Sequence, residues 1–142
     1  MRAQVALRTL LGAVLLFAGV SHLTTQRQAF RAQVPAWMPL GEDFVVIASG
    51  VVEIVLGVAL IALLVRSLAR HQVVVGLVVA LFFVAVFPGN IAQWAEHKNA
   101  FGLDTDTKRL VRLFFQPLLV VWALWSTGAW AQLRRRERHH SR

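Results

Sequence analysis

Residues 44–65 read FVVIASGVVEIVLGVALIALLV, a run whose one ionisable side chain is Glu53. About twenty apolar residues at helical rise cross a hydrocarbon layer roughly 30 Å thick, so this run has the length and composition of a membrane-spanning helix. Three similar stretches accompany it, at about 5–23, 73–95 and 110–130. Composition agrees. Charged residues are 15% of the 142, hydrophobic residues are 57%, and mean hydropathy is +0.60, whereas a water-soluble domain carries about a quarter charged residues. The expected fold is all-α: a polytopic membrane protein, a four-transmembrane-helix bundle over residues 1–132 followed by a basic tail at 133–142. The run behind Arg2 and Arg8 has a poor small-residue cleavage pattern around Ala18-Gly19-Val20-Ser21, so it reads as an uncleaved helix.

Charge supplies the orientation. With four spans, the N-terminus, the second loop and the C-terminus share one side. That side holds Arg2, Arg8, Arg66, Arg70, Arg134, Arg135, Arg136, Arg138 and Arg142. Arg27, Arg31, Lys98, Lys108, Arg109 and Arg112 fall on the other, diluted by Glu42, Asp43, Glu96, Asp104 and Asp106. The excess places both termini in the cytoplasm of a cell with its plasma membrane as the host bilayer. Half of the net charge of +8 lies in the tail directly after an apolar helix, where it suits anionic lipid; no motif joins it to suggest nucleic acid. Cysteine is absent, which excludes disulfide exchange and thiolate metal sites by the chain itself, and the five histidines have no metal-ligand spacing. In the first loop Phe30, Val34, Trp37 and Met38 share helical spacing, while Pro35 and Pro39 break any long helix, so a short interfacial segment and a turn are expected.

Glu53 lies nine residues into its run, roughly 13 Å along the axis. A carboxyl at that depth must face the bundle interior and find a partner. Ser49, Gly50 and Gly57 make a groove of small residues beside it that admits another helix. Candidate partners fall in the same outer half: His22 ends the first helix, Gln116 lies near the start of the fourth, and Asn90, Gln93 and His97 share a face of the third at i, i+3 and i+7. The inner half shows nothing comparable. Pro88 removes a backbone donor and frees the carbonyl of Val84, Gly89 follows it, and Pro117 acts similarly on the fourth helix. A polar cavity in the outer half explains this set; interhelical hydrogen-bond glue is the competing account.

Several of these residues also carry a family resemblance. Gly19-Val20-Ser21-His22-Leu23 is followed by Val34-Pro35-Ala36-Trp37-Met38-Pro39 and by Ser49-Gly50-Val51-Val52-Glu53-Ile54 with Gly57. Then come Val86-Phe87-Pro88-Gly89-Asn90-Ile91 and Phe115-Gln116-Pro117-Leu118 leading to Trp122-Ala123-Leu124-Trp125. This ordered set resembles the DoxX-like membrane proteins over nearly the whole chain. The resemblance implies a four-helix membrane protein and an association with membrane redox and oxidative-stress balance. It implies no agreed catalytic set, although His22, Glu53, Asn90 and Gln116 fall on recurrent polar positions.

Three functions compete at this stage. The first is an accessory or quinone-linked component, with quinone as its cofactor, His22, Asn90 and Gln116 beside Trp122 as donors, and Glu53 as the proton carrier. Its electrons would come from another membrane or exported redox protein. The second is a non-enzymatic assembly factor, chaperone or interaction partner using the small-residue grooves and the outer loops. The third is small-molecule or proton transport, for which four helices are few unless the protein forms a homo-oligomer.

Overall fold

The computed structural model describes residues 2–24, 26–31, 34–99 and 105–141. Its elements in chain order are α1 (Arg2–Leu23), α2 (Arg27–Arg31), α3 (Glu42–Ala62), a 3₁₀ turn (Ala69–His71), α4 (Gln72–Ala95), α5 (Asp106–Ser126) and α6 (Ala129–His140). No strand occurs among the described residues. The helices α1, α3, α4 and α5 are each long and apolar enough to cross a membrane. The chain is an all-α, four-helix membrane-spanning bundle.

The bundle is built as two antiparallel pairs, α1 with α3 and α4 with α5. Glycines set the first pair. A Cβ on Gly12 would come within 2.9 Å of the Gly57 carbonyl, and one on Gly19 within 2.6 Å of the Gly50 carbonyl. Each helix thus carries two glycines seven residues apart, and the four meet in register, which lets the backbones touch. The two pairs join over a core of Leu11, Leu15, Leu60, Val79, Phe83 and Ala123. Phe17, Leu81, Phe114 and Leu118 point outward and are largely exposed, as lipid-facing residues are.

The fourth span stops at Ser126, short of the expected position near 130. The cause is backbone geometry: Gly128 takes φ +75°, a left-handed turn, and the chain restarts as α6. Trp130 therefore belongs to α6, which takes up most of the basic tail. The first loop does form the short helix α2, and 34–40 follow as turns and bends.

Candidate functional site

A cavity of about 530 Å³ opens between the two pairs at the end of the bundle that carries α2. Its polar wall comes from His22, Ser49, Glu53, Asn90, Arg112 and Gln116. Its apolar floor includes Leu11, Leu15, Phe83 and Leu119.

On the α1/α3 side, Ser49 and Glu53 stand one turn apart on the same face of α3 and bracket His22 from the last turn of α1. His22 Nδ1 lies 3.2 Å from Ser49 Oγ, and Nε2 lies 3.5 Å from Glu53 Oε2. The Ser49 hydroxyl donates to the Val46 carbonyl at 3.0 Å. With that hydroxyl proton engaged, the imidazole is left to donate from Nδ1 and to face Glu53 with Nε2 as an acceptor. The ring of Phe30, from α2, lies against His22 with centroids 3.4 Å apart.

On the α4/α5 side the amides run in series. Gln116 Nε2 donates to the Phe83 carbonyl at 2.6 Å, and Asn90 Nδ2 donates to Gln116 Oε1 at 3.0 Å. The carbonyl taken is one position before the Val84 expected from Pro88, and α4 continues through that proline to Ala95. Pro88 and Gly89 form part of the cavity wall.

Among the described residues, three buried polar atoms on this wall have no hydrogen-bond partner: Glu53 Oε2, Asn90 Oδ1 and Arg112 Nη1. Buried polar atoms are paired in the large majority of cases. Three orphans around one cavity mark a space suited to a molecule with polar atoms of its own.

The loop after α2 forms a lid. Val34, Pro35 and Met38 line the cavity from above, with Val34 buried. A clasp holds the lid to the end of α4: Lys98 Nζ donates to the Val34 carbonyl at 2.9 Å, and the Ala36 amide donates to Glu96 Oε1 at 3.1 Å. Lys98 Nζ also meets Glu96 Oε2 at 2.8 Å. Hydrogen bonds from Lys98 and then from the Ala36 amide hold the Glu96 carboxyl below the usual range.

The structure brings His22, Glu53, Asn90 and Gln116 together and places four other residues elsewhere. Gln93 is fully buried but off the cavity, donating from Nε2 to the Lys98 carbonyl at 3.4 Å past the helix end. His97 does not share the face of Asn90: α4 has ended, His97 takes φ 54°, and its ring pairs with Asp106 at 2.6 Å. Trp122 is not at the cavity; its Nε1 donates to the Leu7 carbonyl at 2.9 Å, toward the opposite end. Pro117 lies within α5 and does not line the cavity.

Two features escaped the sequence reading. Arg112 was counted with the loop charges, yet it stands one turn before Gln116 on the same face of α5, a spacing that could have placed it. The second is a polar cluster at the far end of the bundle, which overturns the expected asymmetry. There Arg8, buried, donates from Nη1 to Gln72 Oε1 at 2.6 Å and from Nη2 to the Leu63 carbonyl at 3.2 Å. Ser126 and Thr127 are buried beside it, and Gln4 Nε2 donates to the Trp125 carbonyl at 2.9 Å.

Fold and site together define a polytopic membrane protein with a lidded, polar-walled cavity inside a four-helix bundle. Residues 11–127 match the family described as "Domain of unknown function (DUF8561)", and the chain belongs to that family. No curated protein and no solved structure matches it.

Proposed function

We propose that the protein holds a lipid-soluble quinone in the lidded cavity and serves as an accessory to membrane redox balance, the role that its DoxX-like motifs imply. The observation carrying this is the set of unpartnered atoms on the cavity's polar wall: Arg112 Nη1, a donor, and Asn90 Oδ1 and Glu53 Oε2, which accept when the carboxyl is ionised. A quinone offers carbonyl oxygens to a donor and, once reduced, hydroxyls to acceptors. The His22–Glu53 pair gives a released proton a place to rest. The electrons pass to or from a separate membrane or exported redox protein.

In this reading the lidded end faces outward across the plasma membrane and both termini are cytoplasmic. Alkaline phosphatase fused after Thr105 should then be active, and fused at the C-terminus inactive; the reverse pattern would overturn the orientation.

The assembly-factor alternative draws on small-residue grooves and on the outer loops. Gly12, Gly19, Gly50 and Gly57 are consumed within the chain by α1 and α3, so that reading keeps only the outer loops as its support. For transport, the apolar core separates the two polar ends.

The test is purification from native membrane in mild detergent, with mass spectrometry of the extracted lipids. Quinone should co-purify with the wild type, and a short-chain quinone analogue should raise the melting temperature. At a hundredfold excess over Kd a ligand adds about 2.7 kcal/mol. Neither co-purification nor a shift would remove the quinone.

A further inference from the structure

Two arginines stand one turn apart on α5, and only one is neutralised. Arg109 is buried and meets Asp106 Oδ1 and Asn99 Oδ1, each at 2.7 Å. Among the described residues Arg112 has neither a hydrogen bond nor a carboxylate within ion-pair distance, and its Nη1 is shut from solvent. The carboxyl on the same cavity, Glu53, makes its contact with His22 instead. A guanidinium keeps its charge in any protein surroundings, so it cannot become neutral to suit an apolar site. Cations inside membranes normally pair with an anion or a carbonyl. Here the cavity holds its own carboxyl away from the cation and leaves that position open.

We infer that Arg112 binds an anionic oxygen, so that the cavity accepts lipid-soluble acids: molecules with an apolar body and one carboxylate or phenolate oxygen. The charge lies on Arg112 and the body among Leu11, Leu15, Phe83 and Leu119. A volume of about 530 Å³ is of small-molecule order, suited to one acyl chain or one substituted ring. Arg112 also borders a shallow groove with Thr107, Lys108, Val111 and Phe115 on the flank of α5. Arg112 thus borders both the cavity and the lipid-facing side, which gives an acid a lateral approach from the bilayer. A fatty-acid carboxylate and a quinol monoanion share this chemistry. The inference rests on the reading of the cavity as a ligand site, and not on the ligand being a quinone.

The full-length protein in phosphatidylcholine nanodiscs, with radiolabelled dodecanoate as the probe, provides the test. Unlabelled dodecanoate should displace the probe at about one tenth the concentration needed for its methyl ester, the fold-change that one charge-assisted hydrogen bond supplies. Arg112→Gln should erase that preference, and Arg112→Lys should keep part of it. Equal competition by acid and ester in the wild type, or no binding of either, overturns the inference, and this comparison needs no variant to fold. Full acid preference in a folded Arg112→Gln protein overturns it as well. A short-chain quinone and its quinol separate the sources. Dodecanoate binding without quinone or quinol binding keeps the inference and removes the quinone reading. Binding of neutral quinone alone does the opposite.

Discussion

Arg8 and Arg112 are the same side chain at opposite ends of one bundle, and their surroundings differ in kind. Arg8 sits where α1 passes the end of α3, and both of its terminal nitrogens are engaged, one by the Gln72 side chain and one by the Leu63 carbonyl. It closes a helix end and ties it to the start of α4. Arg112 has no such engagement and borders a void. A guanidinium whose two terminal nitrogens are both held by its own chain, as in Arg8 even though its Nε is unmet, belongs to the architecture. One whose bonds remain open beside a cavity belongs to a site. The contrast extends to the neighbours. At the Arg8 end Gly76 is packed so closely on Thr127 that no Cβ would fit, while at the Arg112 end the helix pairs separate.

The largest expected effect follows from that contrast. Arg8→Ala leaves Gln72 Oε1 and the Leu63 carbonyl unmet and opens a hole, which should cost about 3 kcal/mol of bundle stability. Arg112→Gln should change the melting temperature little. Thermal unfolding in one detergent, measured side by side, checks the pair. Comparable losses in both would erase the distinction between the two ends.

Glu53 comes next, because it separates a site from interhelical glue. Glu53→Ala should destabilise by ~1–3 kcal/mol, the usual loss when a buried partner, here His22, is left unmet. Glu53→Gln keeps the size and the hydrogen bonding but cannot carry a proton. If the proton matters, the Gln variant folds to wild-type abundance yet fails to restore resistance to superoxide generators in a deletion strain. Full complementation by Glu53→Gln would move the lidded end toward the architectural class that Arg8 represents.

How the chain encodes these two ends explains which parts were legible beforehand. Hydropathy runs are long, so the four spans could be read from composition alone. The end of the last span could not, because Ala129 and Trp130 continue the apolar pattern while the break is a backbone event at Gly128. Glu53 stood out because a carboxyl in a run of valines has no other reason to be there. His22, Asn90 and Gln116 followed from depth along their helices. Arg8 and Arg112 were missed for a common reason: an arginine near a helix end reads as a flanking charge in a topology count. Only packing shows that these two turn inward. Helical spacing also misplaced His97, since periodicity cannot register that α4 has ended two residues earlier. Glycine pairing between α1 and α3 was half visible, as Gly50 and Gly57 are conspicuous but their partners depend on register.

A smaller effect is expected at Pro88, which belongs to the cavity wall. Alanine restores a helical N–H toward the Val84 carbonyl, so stability should hold or rise by up to ~1 kcal/mol. Gln116 would keep the Phe83 carbonyl, and Asn90 would shift with its helix. Ligand affinity should fall a few-fold while melting temperature is maintained. Unchanged affinity would mean that the wall tolerates the proline without using it.

The smallest effect concerns the lid, which a half-exposed ion pair clasps to the end of α4. Glu96 accepts the Ala36 amide and pairs with Lys98, and those contacts lower its pKa. A carboxyl lowered by folding contributes fully above its ordinary value and loses that contribution as pH falls through the lowered one. The clasp is therefore intact at neutral pH and releases only in acid, below the usual range for glutamate. Glu96→Gln should reproduce the acid state at neutral pH, because the amide lacks the charge that Lys98 and the Ala36 amide meet. Hydrogen exchange in peptides covering 34–38 is the direct readout, since the Ala36 N–H is itself the donor. Exchange should quicken in the variant while segments around Arg8 stay as protected as in the wild type. Global unfolding need not move, because exposed ion pairs contribute little to stability. Equal protection of 34–38 in both proteins would show that Val34 and Met38 hold the lid by packing alone, making the lidded end as self-contained as the end built around Arg8.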